Sequence, residues 1–203
     1  MKILCSRRGF LVLEKPDGFE VQSTHRPSIP NLVDNWAEQN DGEVLLPVHR
    51  LDVRASGAVV LARRPNIARV LSEAFRNRQV VKSYRVRLAG DLFEKDESPI
   101  RVSASLCKRD GRAWIDPDGK SAVSFFSVLQ RKGGWTDAEV KTETGRFHQV
   151  RAHAAFLGTP VLGDVRYGAP SADRLYLHAR ELKFPDPEGD GWINILCPEP
   201  WSV

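Results

Sequence analysis

The six-residue apolar run at 57–62, Gly-Ala-Val-Val-Leu-Ala, is the feature that most constrains the fold of this chain. An unbroken apolar segment with two β-branched residues at its centre predicts a buried strand, around which a core has to form. A loop dense in charged side chains leads directly into this run. We therefore expect the strand to hold that loop rigidly.

The loop before the run places one carboxylate among cationic side chains. Asp52 follows His49 and Arg50, and it precedes Arg54. Neighbouring arginines favour the ionised form of an aspartate, so we expect the pKa of Asp52 to be low. An ionised carboxylate is a poor general acid, but it can act as a nucleophile or receive a cation. The same charge pattern is also typical of a salt-bridged surface turn.

Short apolar segments separated by turn residues predict a chain made mainly of strands. Strands are expected over 10–15, 44–46, 57–62, 79–88, 99–106, 120–130, 135–142, 175–182 and 192–196. Helices are expected over 31–39, from 65 or 66 onward, and over 147–157, where capping residues or apolar i, i+3, i+4 spacing support them. Strands joined by short turns favour a mixed, largely antiparallel sheet with flanking helices, in the α+β class.

Composition narrows the functional classes. The chain has 203 residues and a net charge of +4, which suits one globular domain and is compatible with a phosphate-rich partner. Its three cysteines, Cys5, Cys107 and Cys197, form no CxxC pair, which indicates a reduced cytoplasmic compartment rather than a disulfide framework or a zinc knuckle. No apolar stretch approaches the roughly 18 residues of a membrane span.

Two other reaction classes find little support in the residues. His148 and His153 are five residues apart, so on a helix they diverge by about 140° and cannot share one ligand face. We therefore expect no metal site. No G-x-S-x-G segment surrounds Ser56 or Ser83, which argues against a serine hydrolase.

Three spaced motifs carry a resemblance to a known family. Residues 49–52 read His-Arg-Leu-Asp and are followed by Ser56-Gly57, and residues 82–84 supply a K-x-Y element. Residues 144–153 read T-G-R-x-H-Q-x-R-x-H, and 158–168 read G-x-P-x-x-G-D-x-x-Y-G. Upstream, residues 15–18 match a K-P-x-G element. Over roughly residues 10–185 the chain resembles the pseudouridine synthases, in the RluA-type branch that modifies ribosomal and transfer RNA.

The resemblance implies roles for individual residues. Asp52 would be the catalytic nucleophile, Arg146 the cation that holds it, and Tyr84 the aromatic surface for the base. From the residues alone, Arg146 could equally be a surface arginine and Tyr84 a core aromatic. RNA contacts are expected from seven further positions: His49, Arg50, Arg54, Lys82, His148, Arg151 and Arg166. His49 is also expected to brace the loop through a hydrogen bond.

The resemblance further implies a fold and a reaction. We expect the pseudouridine synthase catalytic fold as one domain over 1–203, without an N-terminal S4-type domain, and with a cleft where the Asp52 loop meets the Arg146 segment. The enzyme would detach the uracil at N1, turn it, and rejoin it through C5, with no metal or organic cofactor. Its partner would be an RNA stem-loop, ribosomal or transfer, with one uridine flipped out of the stack. A monomer is expected.

One residue departs from the family motif, and one alternative function is compatible with the sequence. The family usually carries Thr before Ser-Gly, whereas this chain has Ala55, which loses a hydroxyl and bears on substrate preference more than on activity. The rival is a synthase-like module that binds RNA but no longer isomerises. Retention of Asp52, Tyr84 and Arg146 argues against that rival.

Overall fold

The computed structural model describes residues 1–23, 28–92 and 99–202. It divides the chain into two compact units: Met1–Val81 with Ala179–Glu199 form unit 1, and Lys82–His178 with Pro200–Val203 form unit 2. The single catalytic domain over 1–203 stays a prediction. Among the described residues, no helix has the length and apolar character needed to cross a membrane.

Strands outnumber helices, as the sequence predicts. The strands are β1 (Lys2–Ser6), β2 (Phe10–Lys15), β3 (Leu46–Pro47), β4 (Ser56–Ala62), β5 (Val81–Ala89), β6 (Ile100–Ser103), β7 (Leu106–Arg109), β8 (Arg112–Ile115), β9 (Val123–Lys132), β10 (Trp135–Thr142), β11 (Leu177–Pro185) and β12 (Trp192–Leu196). The helices are α1 (Leu32–Gln39), α2 (Pro65–Arg76) and α3 (Gln149–Phe156), with a 3-10 turn at Val165–Tyr167.

Unit 1 is organised around β4. Its sheet has the order β1-β2-β4-β11, with β12 paired to β11 and β3 paired to β4. All residues of β4 are buried. Because side chains alternate across a strand, Ala58, Val60 and Ala62 pack in the cluster that contains α2, whereas Val59 and Leu61 pack in the cluster that contains α1. The prediction of a buried strand is confirmed.

The two helices of unit 1 begin at the residues expected. The Asn31 side chain accepts a hydrogen bond from the Asp34 amide at 2.9 Å and so caps α1. Pro65 occupies the first turn of α2, where its missing N–H costs nothing. Of the apolar residues at i, i+3 and i+4 spacing in α2, Ile67 and Leu71 are buried and Val70 is exposed, so the core-facing stripe of the helix is narrower than this spacing indicates.

Unit 2 contains a second antiparallel arrangement, in the order β5-β10-β9-β6, and a separate hairpin of β7 with β8. The α+β class with a largely antiparallel pattern is confirmed. The sequence analysis missed β1 and the hairpin, whose strands have only four or five residues and bury few of them. The Asp110-Gly111 turn, with both residues at positive φ, is the local signal that predicts such a hairpin.

Helix α3 begins two residues later than predicted. His148 has a φ of 51°, in the left-handed region, so Phe147 and His148 form the approach to the helix rather than its first turn. The helix packs against β8 and β9.

A buried histidine links α3 to β9. The His153 Nε2 is 3.2 Å from the Ala104 carbonyl oxygen, and its Nδ1 is 3.0 Å from the Ser124 hydroxyl. A carbonyl only accepts hydrogen bonds, so Nε2 carries the proton and Nδ1 accepts from Ser124. The ring is fully buried, and burial lowers the pKa of His153. The fold therefore favours the neutral ring.

Gly57 marks a close approach of two strands directly after the Asp52 loop. Its φ is +117°, and a Cβ at this position would lie 2.4 Å from the Ala179 carbonyl oxygen of β11. Both the backbone conformation and the space demand glycine.

We expect Gly57→Ala to lower the free energy of unfolding by about 3 kcal/mol or more, because strain at positive φ adds to a backbone clash. The matched control is Gly42→Ala, whose φ is +79° but whose added Cβ meets nothing within 4 Å. That control should lose only about 1 kcal/mol. Urea denaturation measures both, and equal losses would show that β4 and β11 do not approach as described.

The second prediction concerns pH. Because the pKa of His153 is lower in the folded chain than in the unfolded chain, the unfolded state binds the extra proton first as pH falls. The stability contribution is complete above about pH 6.5, the ordinary histidine pKa, and decreases below it. The native chain should therefore lose stability between pH 7 and pH 5 relative to His153→Gln. A difference between the two that does not change with pH would contradict this.

Candidate active site

The segment at 15–18 braces the Asp52 loop through Lys15. This side chain is fully buried, and its Nζ donates hydrogen bonds to the carbonyl oxygens of Pro16 (2.9 Å), Phe19 (2.7 Å) and Val53 (2.9 Å). The Gly18 amide donates to the same Val53 oxygen at 3.0 Å. The backbone directly after Asp52 is therefore held from two sides.

Burial and two nearby carboxylates act in opposite directions on the charge of Lys15. Burial lowers the pKa of Lys15 to about 7, against the opposing effect of the Asp17 and Asp52 carboxylates. Three carbonyl acceptors equal the three donors of an ammonium group. In its protonated form, Lys15 interacts favourably with the Asp17 and Asp52 carboxylates. In the sequence, Lys15 stands out only as part of a motif; its burial and its contact with Val53 depend on the folded chain.

His49 fixes the other side of the loop. Its Nε2 accepts a hydrogen bond from the Val60 amide at 3.0 Å, and its ring stacks on Phe75 of α2 with centroids 4.5 Å apart. Strand β3 has only two residues, Leu46 and Pro47, which pair with Ala62 and Leu61. The imidazole thus engages the next amide along β4, beyond the end of β3.

The Asp52 loop itself is a turn with a half-buried carboxylate between exposed cations. The Ala55 amide donates to the Asp52 carbonyl oxygen at 3.1 Å, which closes the turn. Arg50 and Arg54 are exposed, and the Arg54 Nε is 3.8 Å from the Asp17 carboxylate. The Ala55 methyl group is buried.

In unit 2, β5 places Lys82 and Tyr84 on the same face, since they are two residues apart on one strand. Tyr84 is half-buried and lies opposite Val140 of β10. The Lys82 Nζ is 3.4 Å from the Thr144 carbonyl oxygen. A Cβ added to Gly145 would lie 3.2 Å from the same Nζ. Burial lowers the pKa of Lys82. Lys82 therefore lies against the segment that carries Arg146.

Arg146 is anchored at both its backbone and its side chain. Its amide donates to the Gln149 Oε1 at 3.0 Å, and its Nε donates to the Ser121 carbonyl oxygen at 2.9 Å. Within residues 1–23, 28–92 and 99–202, its two Nη groups make no further hydrogen bond or ion pair. These groups are therefore available to an anion.

Arg151 and His148 belong to a buried network. The Arg151 guanidinium donates from Nε and Nη2 to the two Asp164 oxygens, at 2.6 and 2.8 Å, and from Nη1 to the His148 Nε2 at 2.8 Å. The His148 Nδ1 is 3.2 Å from the Tyr167 hydroxyl. The Arg151 side chain is only 9% exposed and braces this segment; its predicted contact with RNA phosphate stays a prediction.

Arg166 is exposed and lies beside the β7–β8 hairpin. Its Nη1 donates to the Gly111 carbonyl oxygen at 3.2 Å. The neighbouring Tyr167 hydroxyl accepts from the Ala113 amide at 2.8 Å and donates to the Ala113 carbonyl at 3.1 Å. The hairpin is thereby attached to the segment between α3 and β11.

The structure groups the predicted residues by unit. His49, Arg50, Asp52 and Arg54 lie on one loop of unit 1, and Lys82, Tyr84, Arg146, His148, Arg151 and Arg166 lie in unit 2. The pairing of Asp52 with Arg146, and the cleft it would occupy, stay predictions. Among the described residues, no three His, Cys, Asp or Glu side chains form a group that could hold a metal ion.

Comparison with known proteins agrees with these motifs. The family model described as RNA pseudouridylate synthase matches residues 9–156. An uncharacterized RNA pseudouridine synthase of Zymomonas mobilis is 38% identical over 197 residues, covering 90% of this chain and 89% of its own length. The dual-specificity RNA pseudouridine synthase RluA of Yersinia pestis is 34% identical over 205 residues, covering 97% and 98%.

The fold has a close solved counterpart. Human RNA pseudouridylate synthase domain containing 1 aligns with a TM-score of 0.83 at 26% identity, over 98% of this chain and 83% of the human one. Other relatives are longer, and this chain spans 62% of one of them and 52% of another. With the family model covering most of the chain, and a bacterial RluA matched almost end to end, this chain belongs to the RluA-type branch of the RNA pseudouridine synthases, a family of isomerases that act on RNA.

Proposed function

We propose that this chain converts specific uridines of ribosomal or transfer RNA to pseudouridine, with Asp52 as the nucleophile. The observation that carries the proposal is the Asp52 loop, a half-buried carboxylate whose backbone is held by Lys15 and Gly18 and whose neighbours are exposed arginines. Such a loop presents an ionised carboxylate at a defined position to an anionic polymer. The dual-specificity name of the Yersinia pestis relative supports both RNA classes as substrates.

The chemistry divides among three residues. Asp52 attacks C1′ of the flipped nucleotide as the C1′–N1 bond breaks. C5 of the turned uracil then bonds to C1′ as the bond to Asp52 breaks, and C5 loses its hydrogen as a proton, so that one difficult step is replaced by two easier ones. Arg146 directs its two Nη groups at the Asp52 carboxylate, since its Nε is already bound to Ser121. Tyr84 offers a half-buried ring on which the detached uracil stacks while it turns.

RNA is held through its phosphates. Arg50 and Arg54 flank the nucleophile and are exposed, so they are placed to neutralise phosphates beside a flipped uridine. In unit 2, the exposed Arg166 is a further proposed phosphate contact. We propose a stem-loop as the bound RNA and a monomer as the working form. Three cysteines without a disulfide are in keeping with a cytoplasmic location.

Replacing the nucleophile separates isomerisation from binding. Isomerisation replaces the hydrogen at C5 of uracil, so C5-tritiated cellular RNA should release tritium with the native chain and not with Asp52→Asn. The control Asp17→Asn removes the same charge from a carboxylate near the loop and should keep release. Equal release from native chain and Asp52→Asn would remove Asp52 from the mechanism, and RNA binding without release by the native chain would favour a binding module.

Arg146→Ala should keep RNA binding within about twofold while turnover falls by roughly 100-fold or more, because its effect is on the reacting centre rather than on phosphates. Arg54→Ala should show the opposite pattern, with weaker binding, a smaller salt dependence and near-native turnover at saturating RNA. Filter binding at several salt concentrations and tritium release measure the two quantities. Native turnover by Arg146→Ala would refute its role.

A further inference from the structure

We propose that Gln149 is a positioning residue of the active site: it sets the backbone from which Arg146 projects. The inference rests on the proposed function, in which Arg146 acts on the reacting groups. It goes beyond that function by assigning a role to a buried amide that has no charge and is almost fully shielded from solvent, with 4% of its surface exposed.

The Gln149 side chain uses its full hydrogen-bonding capacity. Its Oε1 accepts from the Arg146 amide at 3.0 Å and from the Thr144 hydroxyl at 2.7 Å. Its Nε2 donates to the Val123 carbonyl oxygen at 2.9 Å and to the Ser124 hydroxyl at 3.0 Å. Two acceptor and two donor contacts are what one carboxamide can supply at these atoms.

Backbone groups at both ends fix the orientation of this amide. A carbonyl oxygen cannot donate, so Nε2 faces Val123, and an amide N–H cannot accept, so Oε1 faces Arg146. The Thr144 hydroxyl accepts from the Val123 amide at 3.1 Å and therefore donates to Gln149. A reversed amide would place donor against donor and acceptor against acceptor.

These contacts connect the Arg146 turn to the beginning of β9. Gln149 and Thr144 bind Val123 and Ser124, and the Arg146 Nε binds Ser121. The backbone and the guanidinium of Arg146 are therefore both anchored to one short segment, 121–124. In a capping box, a glutamine at the third helical position reaches back three residues to the N-cap amide; Gln149 makes the same reach from the first residue of α3. Here it closes the approach to α3, where His148 holds a left-handed conformation.

Loss of the Gln149 carboxamide should therefore change the position of Arg146 more than the affinity for RNA. Without Gln149 the Arg146 amide loses its acceptor, and the turn is free to shift while the Nε contact to Ser121 remains. A displacement of about 1 Å at a reacting group can reduce a rate by about 100-fold. RNA contacts elsewhere are unchanged by such a shift.

The first test compares Gln149→Leu with Thr136→Val. Thr136 is fully buried in unit 2 and makes two hydrogen bonds, to Gly90 and Leu92, so its replacement controls for a general loss of stability. We expect kcat for tritium release to fall by roughly 100-fold in Gln149→Leu with KM within about twofold, and to remain near native in Thr136→Val. A kcat for Gln149→Leu no lower than that of the control would overturn the proposal.

The second test uses Gln149→Glu, which remains informative if the leucine variant does not fold. A protonated carboxyl keeps one acceptor for Arg146 and one donor for β9, whereas the ionised form opposes the Val123 carbonyl oxygen. Burial raises the pKa of a carboxyl, so kcat relative to the native chain should increase as pH falls from 8 to 6. A ratio that does not change with pH would count against positioning by hydrogen bonds.

A readout without catalysis separates this proposal from the proposed function. Hydrogen exchange of the Arg146 amide should be slow in the native chain and in Thr136→Val, and much faster in the Gln149 variant that folds. If the native chain released no tritium, the proposed function would fail while amide exchange still decided the positioning. Equal protection of Arg146 with and without Gln149 would overturn the inference whatever the activity.

Discussion

The complete burial of β4 is the constraint on which unit 1 depends. With α1 packed on one face and α2 on the other, the strand has no solvent-exposed side to accommodate a change of register. Its first residues are equally constrained, because Gly57 approaches the β11 backbone too closely for any side chain. The path of the segment that leads into β4 is therefore restricted, and Asp52 lies on that segment. A side chain on a loop without regular secondary structure can have a fixed position when the strand that follows the loop cannot move.

Polar groups complete what apolar packing begins. Lys15 satisfies three carbonyl oxygens around the Asp52 loop, and Gln149 satisfies four groups around the Arg146 turn. An unsatisfied buried donor or acceptor costs about 1–3 kcal/mol. Conformations that break the hydrogen bonds of Lys15 or Gln149 are therefore disfavoured. In each unit, the backbone beside a predicted catalytic side chain is thus held by a buried, fully bonded polar side chain.

Most of the elements could be predicted from local patterns. The limits of β2, β10 and β12 agree with the apolar segments, and the Asn31 cap agrees with its residue type. Short elements were missed where few residues are buried, as in β1 and in the β7–β8 hairpin. The start of α3 was placed too early because the left-handed conformation of His148 follows from contacts with Phe147, Arg151 and Tyr167, which periodicity does not report.

The sequence by itself determined the family and the strand-rich α+β class, because motifs and apolar runs are local properties of the chain. Only the tertiary structure decided which cations face solvent and which are committed to buried partners: Arg50 and Arg54 are exposed, whereas Arg151 is bound to Asp164 and Lys15 to three carbonyls. The reason is that a charge pattern along the chain is the same whether water or a distant backbone group solvates each charge. That choice is made by contacts of the folded chain, such as Lys15 with Val53 and Arg151 with Asp164.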